Sequence, residues 1–143
     1  MAYTTQALIE AEIASQDLIA LTDDGNTGSI NSTVLSNLIT NVSTWIDGKI
    51  ANIYDVPFAT APTLIQSICL SVVCYRLYRR RLTPDEKNNY FGDYKDAMEL
   101  LNQINKGEMH LDLSQARNFP QGAVVSRVTT YGGSLTSAPT NSL

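Results

Sequence analysis

Between Leu64 and Leu77, apolar side chains return at nearly every angle of a helix: Leu64, Ile65, Ile68, Cys69, Leu70, Val72, Val73, Tyr75 and Leu77. A helix with one apolar stripe can rest on a surface, but a helix apolar nearly all round has to be enclosed. Lipid cannot enclose this one, because the stretch from Leu64 to Tyr78 is short and is interrupted by Gln66, Ser67, Ser71 and Arg76. The segment is therefore predicted to sit in the middle of a bundle, started by Pro62 or Thr63. Arg76, Arg79, Arg80 and Arg81 gather at its C-terminal end, where positive charge suits the helix dipole.

The rest of the chain supplies the walls. Asn31 or Ser32 can cap a helix whose apolar positions (Val34, Leu35, Leu38, Ile39, Val42, Trp45, Ile46, Ile50, Ile53) keep steps of three and four up to about Tyr54. At 1.5 Å per residue its length is ~35 Å. Thr83-Pro84-Asp85-Glu86 has the pattern of a capped helix start, and the helix continues through Tyr90, Tyr94, Ala97, Met98, Leu101 and Ile104 to Gly107. Tyr75, Tyr78, Tyr90, Phe91 and Tyr94 fall near the junction of the last two helices, and most are expected in the core. Thr4 or Thr5 caps a short helix to about Ile13, and Ser15 caps a second with Leu18, Ile19 and Leu21 apolar. A turn cluster, Asp23 to Ser29, and a connector with two prolines, Asp55 to Pro62, separate these elements. The expected fold is mainly α: a compact bundle of three long helices plus short N-terminal helices over residues 1–107.

Residues 108–143 read differently, as an extended β-forming C-terminal arm. Met109, Leu111 and Leu113 alternate with His110 and Asp112, and a strand is predicted at 123–131, from Ala123 to Tyr131. From Ser114 to Leu143 there is no Asp or Glu. An isolated hairpin is marginal in water, so a lone strand on a helical body finds its hydrogen bonds on the sheet edge of another chain. Val124 and Val128, or Val125 and Tyr131, would fill pockets on alternate faces, with Arg127 in the same segment.

The chemistry of turnover is poorly represented. The single histidine, His110, is far in sequence from Cys69 and Cys74, and Asp93 and Asp96 lie on a solvated helix face. Cys69 and Cys74 read as buried free thiols, as in a protein assembled in the cytoplasm. Asp23 to Asn31 faintly echoes a calcium loop but places Gly25, Thr27 and Val34 where ligands belong, so a metal-free capped turn is expected. No phosphate-binding glycine motif occurs, and the N-terminus lacks the pattern of a signal peptide. Catalytic, cofactor and metal sites are all expected to be absent.

Charge is low and uneven. Charged residues are 17% of the 143, the net charge is −4, residues 1–60 carry −6, and residues 61–106 carry +2. That overall balance is unlike a nucleic-acid-binding domain. The arginine cluster admits dipole compensation, DNA phosphate contact, or an ion-pair contact between subunits. The last would let Arg76, Arg79, Arg80 and Arg81 meet the acidic half of a neighbour in a head-to-tail ring.

Leu21-Thr22-Asp23, Ile46-Asp47-Gly48, Tyr54-Asp55-Val56-Pro57-Phe58, Pro62, Tyr75-Arg76-Leu77-Tyr78, Leu100-Leu101 and Gly107 follow in an order and spacing that carry a family signal. Over roughly residues 3–113 the chain resembles the Mu-like phage family of head–tail connector, or head-completion, proteins. The resemblance implies a helical adaptor in the virion neck, forming a ring of about twelve copies beneath the portal protein and above a tail or stopper protein. DNA would pass through that ring without sticking, so its lumen is expected to be polar or acidic, with Asp23 and Asp24, and also Glu10 and Glu12, as candidates. A small non-enzymatic module that docks a soluble partner through its C-terminal strand is the alternative.

Overall fold

The structure is a computed structural model, and it describes residues 2–111. Five α-helices follow one another: α1 (Gln6–Glu12), α2 (Ser15–Thr22), α3 (Ser32–Ile50), α4 (Thr63–Arg80) and α5 (Phe91–Asn105). The described residues are helical with no strand. The expected strand at 123–131, with Val124, Val125, Arg127, Val128 and Tyr131, lies outside them.

α4 occupies the centre and contacts each of the other four helices. Ile65, Ile68, Cys69, Val72, Val73, Cys74, Tyr75 and Leu77 are buried along it, which is the burial its all-round apolar pattern demands. α3 lies alongside and buries Leu35, Ile39, Val42, Ile46 and Ile50 at helical spacing. Asn31 caps α3, its Oδ1 accepting from Thr33 N at 3.1 Å and Val34 N at 3.2 Å. α5 closes the bundle against α3 and α4 through Ala97, Leu101 and Ile104.

Several local expectations are corrected. α3 ends at Ile50, where Ile53 N and Tyr54 N both donate to Ile50 O, so the chain turns before Tyr54. Ala14 rather than Ser15 precedes α2, without a side-chain cap. The Thr83-Pro84-Asp85-Glu86 signal yields only a short 3₁₀ turn, Asp85–Lys87, and α5 begins at Phe91. Asn88 explains the break. Its buried side chain donates from Nδ2 to Tyr75 O at 3.1 Å and accepts from Tyr90 N at 3.0 Å. An Asn amide that bonds nearby backbone competes with helix continuation, and here it also ties α5 to α4. The period-two run from Met109 forms no strand as far as Leu111.

The N-terminus is held by a buried polar seam. Tyr3 N donates to Ser43 Oγ at 3.1 Å, Tyr3 Oη donates to Asp47 and accepts from Phe58 N at 3.1 Å, and Ser43 Oγ contacts Cys69 Sγ at 3.7 Å. The Tyr3 and Tyr54 rings pack on Phe58 with centroids 6.1 and 6.0 Å apart. Burial and the Asp47 carboxylate push the Tyr3 hydroxyl well above its usual pKa. Cys69 and Cys74 are free and buried, and burial pushes the Cys74 thiol up to about 12.

Two helices end in the same way with different residues. After α5, Gly107 takes φ +79° while its N–H donates to Ile104 O and Glu108 N donates to Gln103 O. That double bond pattern is the Schellman motif, and glycine suits its left-handed residue. After α4, Leu82 takes the same place with φ +60°, its N–H donating to Arg79 O and Thr83 N to Tyr78 O. A leucine there costs about 1–2 kcal/mol more than a residue free of Cβ crowding.

Candidate functional site

The surface chemistry collects at the C-terminal end of α4 and along its open flank. At the end of α4 the turn after α2 meets the arginines. Arg80 pairs with Asp24 through its two terminal guanidinium nitrogens and donates to Leu21 O at 2.8 Å. Arg81 donates to Ala20 O at 3.0 Å and stands 3.2 Å from Asp24. These bonds satisfy carbonyls at the end of α2, groups that have no partner within their own helix. The Arg80 hydrogen bond and the two guanidinium charges hold the Asp24 carboxyl below its ordinary value.

Asp23 closes its own turn. It accepts from Thr27 N at 2.8 Å, Thr27 Oγ1 at 3.0 Å and Gly28 N at 2.7 Å. These N–H donors lower its pKa. Among the described residues, no group of three His, Cys, Asp or Glu side chains is placed to hold a metal ion.

The other two arginines are used differently. Arg79 donates to Tyr75 Oη at 2.9 Å, and that hydroxyl donates to Asp85 at 3.0 Å. Arg76 lies over Trp45, 5.2 Å from the ring centroid, on the α3 side. The four arginines expected at a subunit contact therefore divide. Arg80 and Arg81 share a patch with Asp23 and Asp24, Arg79 flanks it, and Arg76 faces α3.

The aromatic group is less buried than its composition implies. Tyr75 is buried and stacks on Tyr94 at 4.0 Å, whereas Tyr78, Tyr90, Phe91 and Tyr94 are half-buried. Tyr78 packs on Tyr90 at 5.6 Å, and Tyr90 Oη donates to Glu12 O at 3.3 Å.

Beside this group a groove runs along α4. It is made of two adjoining pockets that share Ser67, Ser71 and Asp93, one between α4 and α5 and one reaching the end of α1. Leu64, Ala97 and Leu100 form one end, and Leu70 and Cys74 the other. Glu12, Asp93 and Asp96 stand among its lining residues, with no Lys or Arg.

Leu82 projects from the tip of α4 with 89% of its surface exposed. Nothing in its local sequence marks it, since leucine carries no signal for a left-handed turn. The last described residue, Leu111, is buried and donates its N–H to Tyr54 Oη at 3.1 Å. His110, beside it, is exposed. No helix among the described residues is long and apolar enough to cross a membrane.

The class defined by this architecture is a small α-helical bundle built around one enclosed helix, with a charged tip and an open flank. The family described as Bacteriophage Mu, Gp36 matches residues 3–129, and the chain belongs to that phage protein family. The match runs beyond residue 113, the limit of the resemblance carried by the sequence motifs, and takes in most of the 123–131 segment. No curated protein matches the chain.

Proposed function

We propose that this protein is a non-enzymatic structural component of a tailed phage particle, a head–tail connector that forms a ring beneath the portal. The observation that carries the reading is membership of the phage Mu family across residues 3–129. The described body is consistent with such a role. Its thiols are buried, Cys69 faces a serine hydroxyl rather than an imidazole, and its ion pairs among the described residues lie on the outside.

The ring requires two unlike faces per subunit. Asp24 shares one surface with Arg80 and Arg81, so the lumen and subunit-contact assignments fall on the same patch. We assign that patch to subunit contact. Its mixed charge and its protruding leucine suit a protein surface better than a channel that must slide along phosphate.

The 108–143 arm is proposed to add a strand to the portal or to a neighbouring subunit, using Val124, Val125, Arg127, Val128 and Tyr131. Mass measurement of the full chain alone and mixed with its portal protein tests the reading. Ring-sized species or portal complexes are expected, and a lone monomer under both conditions refutes it. Removing residues 114–143 leaves the buried Leu111 anchor in place, so the body should stay folded while incorporation into particles is lost.

A further inference from the structure

We propose that Leu82 is the knob of a head-to-tail contact and that the α4–α5 groove of a second copy of this chain is its socket. The inference rests on the ring reading and names the contact that closes the ring. Two independent features point to it. Leu82 combines a left-handed backbone at φ +60° with 89% exposure, so an apolar side chain is held outward in a conformation that leucine disfavours. Gly107 performs the same helix-ending task without either burden.

The groove supplies what the knob lacks. Its walls are apolar at Leu64, Leu70, Ala97 and Leu100, and Ser67 and Ser71 leave room for a side chain. The charges match as well. Arg79, Arg80 and Arg81 are balanced at the tip by Asp23, Asp24 and Asp85, but Arg81, next to Leu82, keeps 42% of its side chain exposed and can meet Glu12, Asp93 and Asp96 of a groove lined by no basic side chain. A guanidinium that meets carboxylates across the contact sets its register. Knob and socket are different parts of one molecule, so the contact is heterologous and propagates around a ring.

Cysteine cross-linking tests the contact directly. In the full chain at about 1 mM, Leu82→Cys combined with Ser71→Cys should give an oxidant-dependent ladder of linked copies on a non-reducing gel. With the groove's own thiol removed in every variant (Cys74→Ser), each single variant should give no ladder, because the remaining native thiol, Cys69, is buried. A second variant separates association from folding. Leu82→Gly fits the left-handed position, so its thermal midpoint should hold or rise by roughly 2–6 °C, while self-association falls tenfold or more.

Asp93→Lys with Asp96→Lys should weaken association similarly. Absence of the ladder, or association unchanged in Leu82→Gly, overturns the proposal, as does a ladder of equal strength from Leu82→Cys alone. Ring-sized species without the ladder would sink this contact and leave the ring reading standing. Monomers alone would sink the contact and leave the ring to the portal mixture.

Discussion

The two ends of α4 follow opposite logic. Along its N-terminal half, Ser43, Cys69, Tyr3 and Phe58 form a seam in which hydrogen bonds are buried and aromatic rings close the space around them. At its last turn, Arg80, Arg81 and Asp24 lie open to solvent, and Leu82 points away from the body. A buried bond left half-made costs its full desolvation, whereas an exposed ion pair contributes little to folding. The seam is thus where stability resides. The tip is free to change without unfolding the chain, which is the condition for a surface that serves another molecule.

That contrast can be broken by experiment, starting with the largest effect. Ile46→Ala, in the fully buried face of α3, should cost about 2–5 kcal/mol in denaturant unfolding. Tyr3→Phe strands the Phe58 N–H and an Asp47 oxygen, so a loss of about 1–3 kcal/mol is expected in the same measurement. A loss near zero would show that the seam is not holding the N-terminus.

Alkaline pH probes the same interior. The Cys74 thiol is raised from 9.0 to about 12 in the folded chain, so unfolded molecules lose that proton first. Its contribution is fully present below pH 9, then shrinks as pH rises toward 12, by on the order of 1 kcal/mol at pH 10. Unfolding midpoints at pH 8 and pH 10 check this, and thiol-reactive probes should label neither cysteine until the chain unfolds.

The smallest folding effect belongs to the tip. Asp24→Asn should move the thermal midpoint only slightly, and less at high salt. Asp23 and Asp24 are both lowered from 3.8, so the unfolded chain takes up their protons first. Their modest stabilisation is present above pH 3.8 and is lost as pH falls through the folded-state values. A large drop for Asp24→Asn would erase the distinction between seam and tip.

The same contrast separates what can be read from sequence and what cannot. The central place of α4 is legible because an all-round apolar helix has one solution. α3 is legible for a similar reason, and Gly107 announces the end of α5. Three features depend on distant partners and stay hidden. Tyr3 meets Ser43 and Phe58 far along the chain. Asn88 gives up a local helix to reach Tyr75 O. The charges of Asp24 and Arg80 are plain, but their meeting is not, so sequence alone sends them to separate surfaces. Leu82 is invisible because its importance lies in backbone conformation and exposure, neither of which its letter reveals.

The bond from Leu111 N to Tyr54 Oη roots the last described residue in the folded core. Residue 131, the far end of the expected strand, is twenty residues along the chain from that root and so within ~70 Å of it. A docking sequence carried there is tethered to this body, so targets within that reach are met at a raised local concentration. On the ring reading proposed above, weak grips on neighbouring copies would reinforce one another.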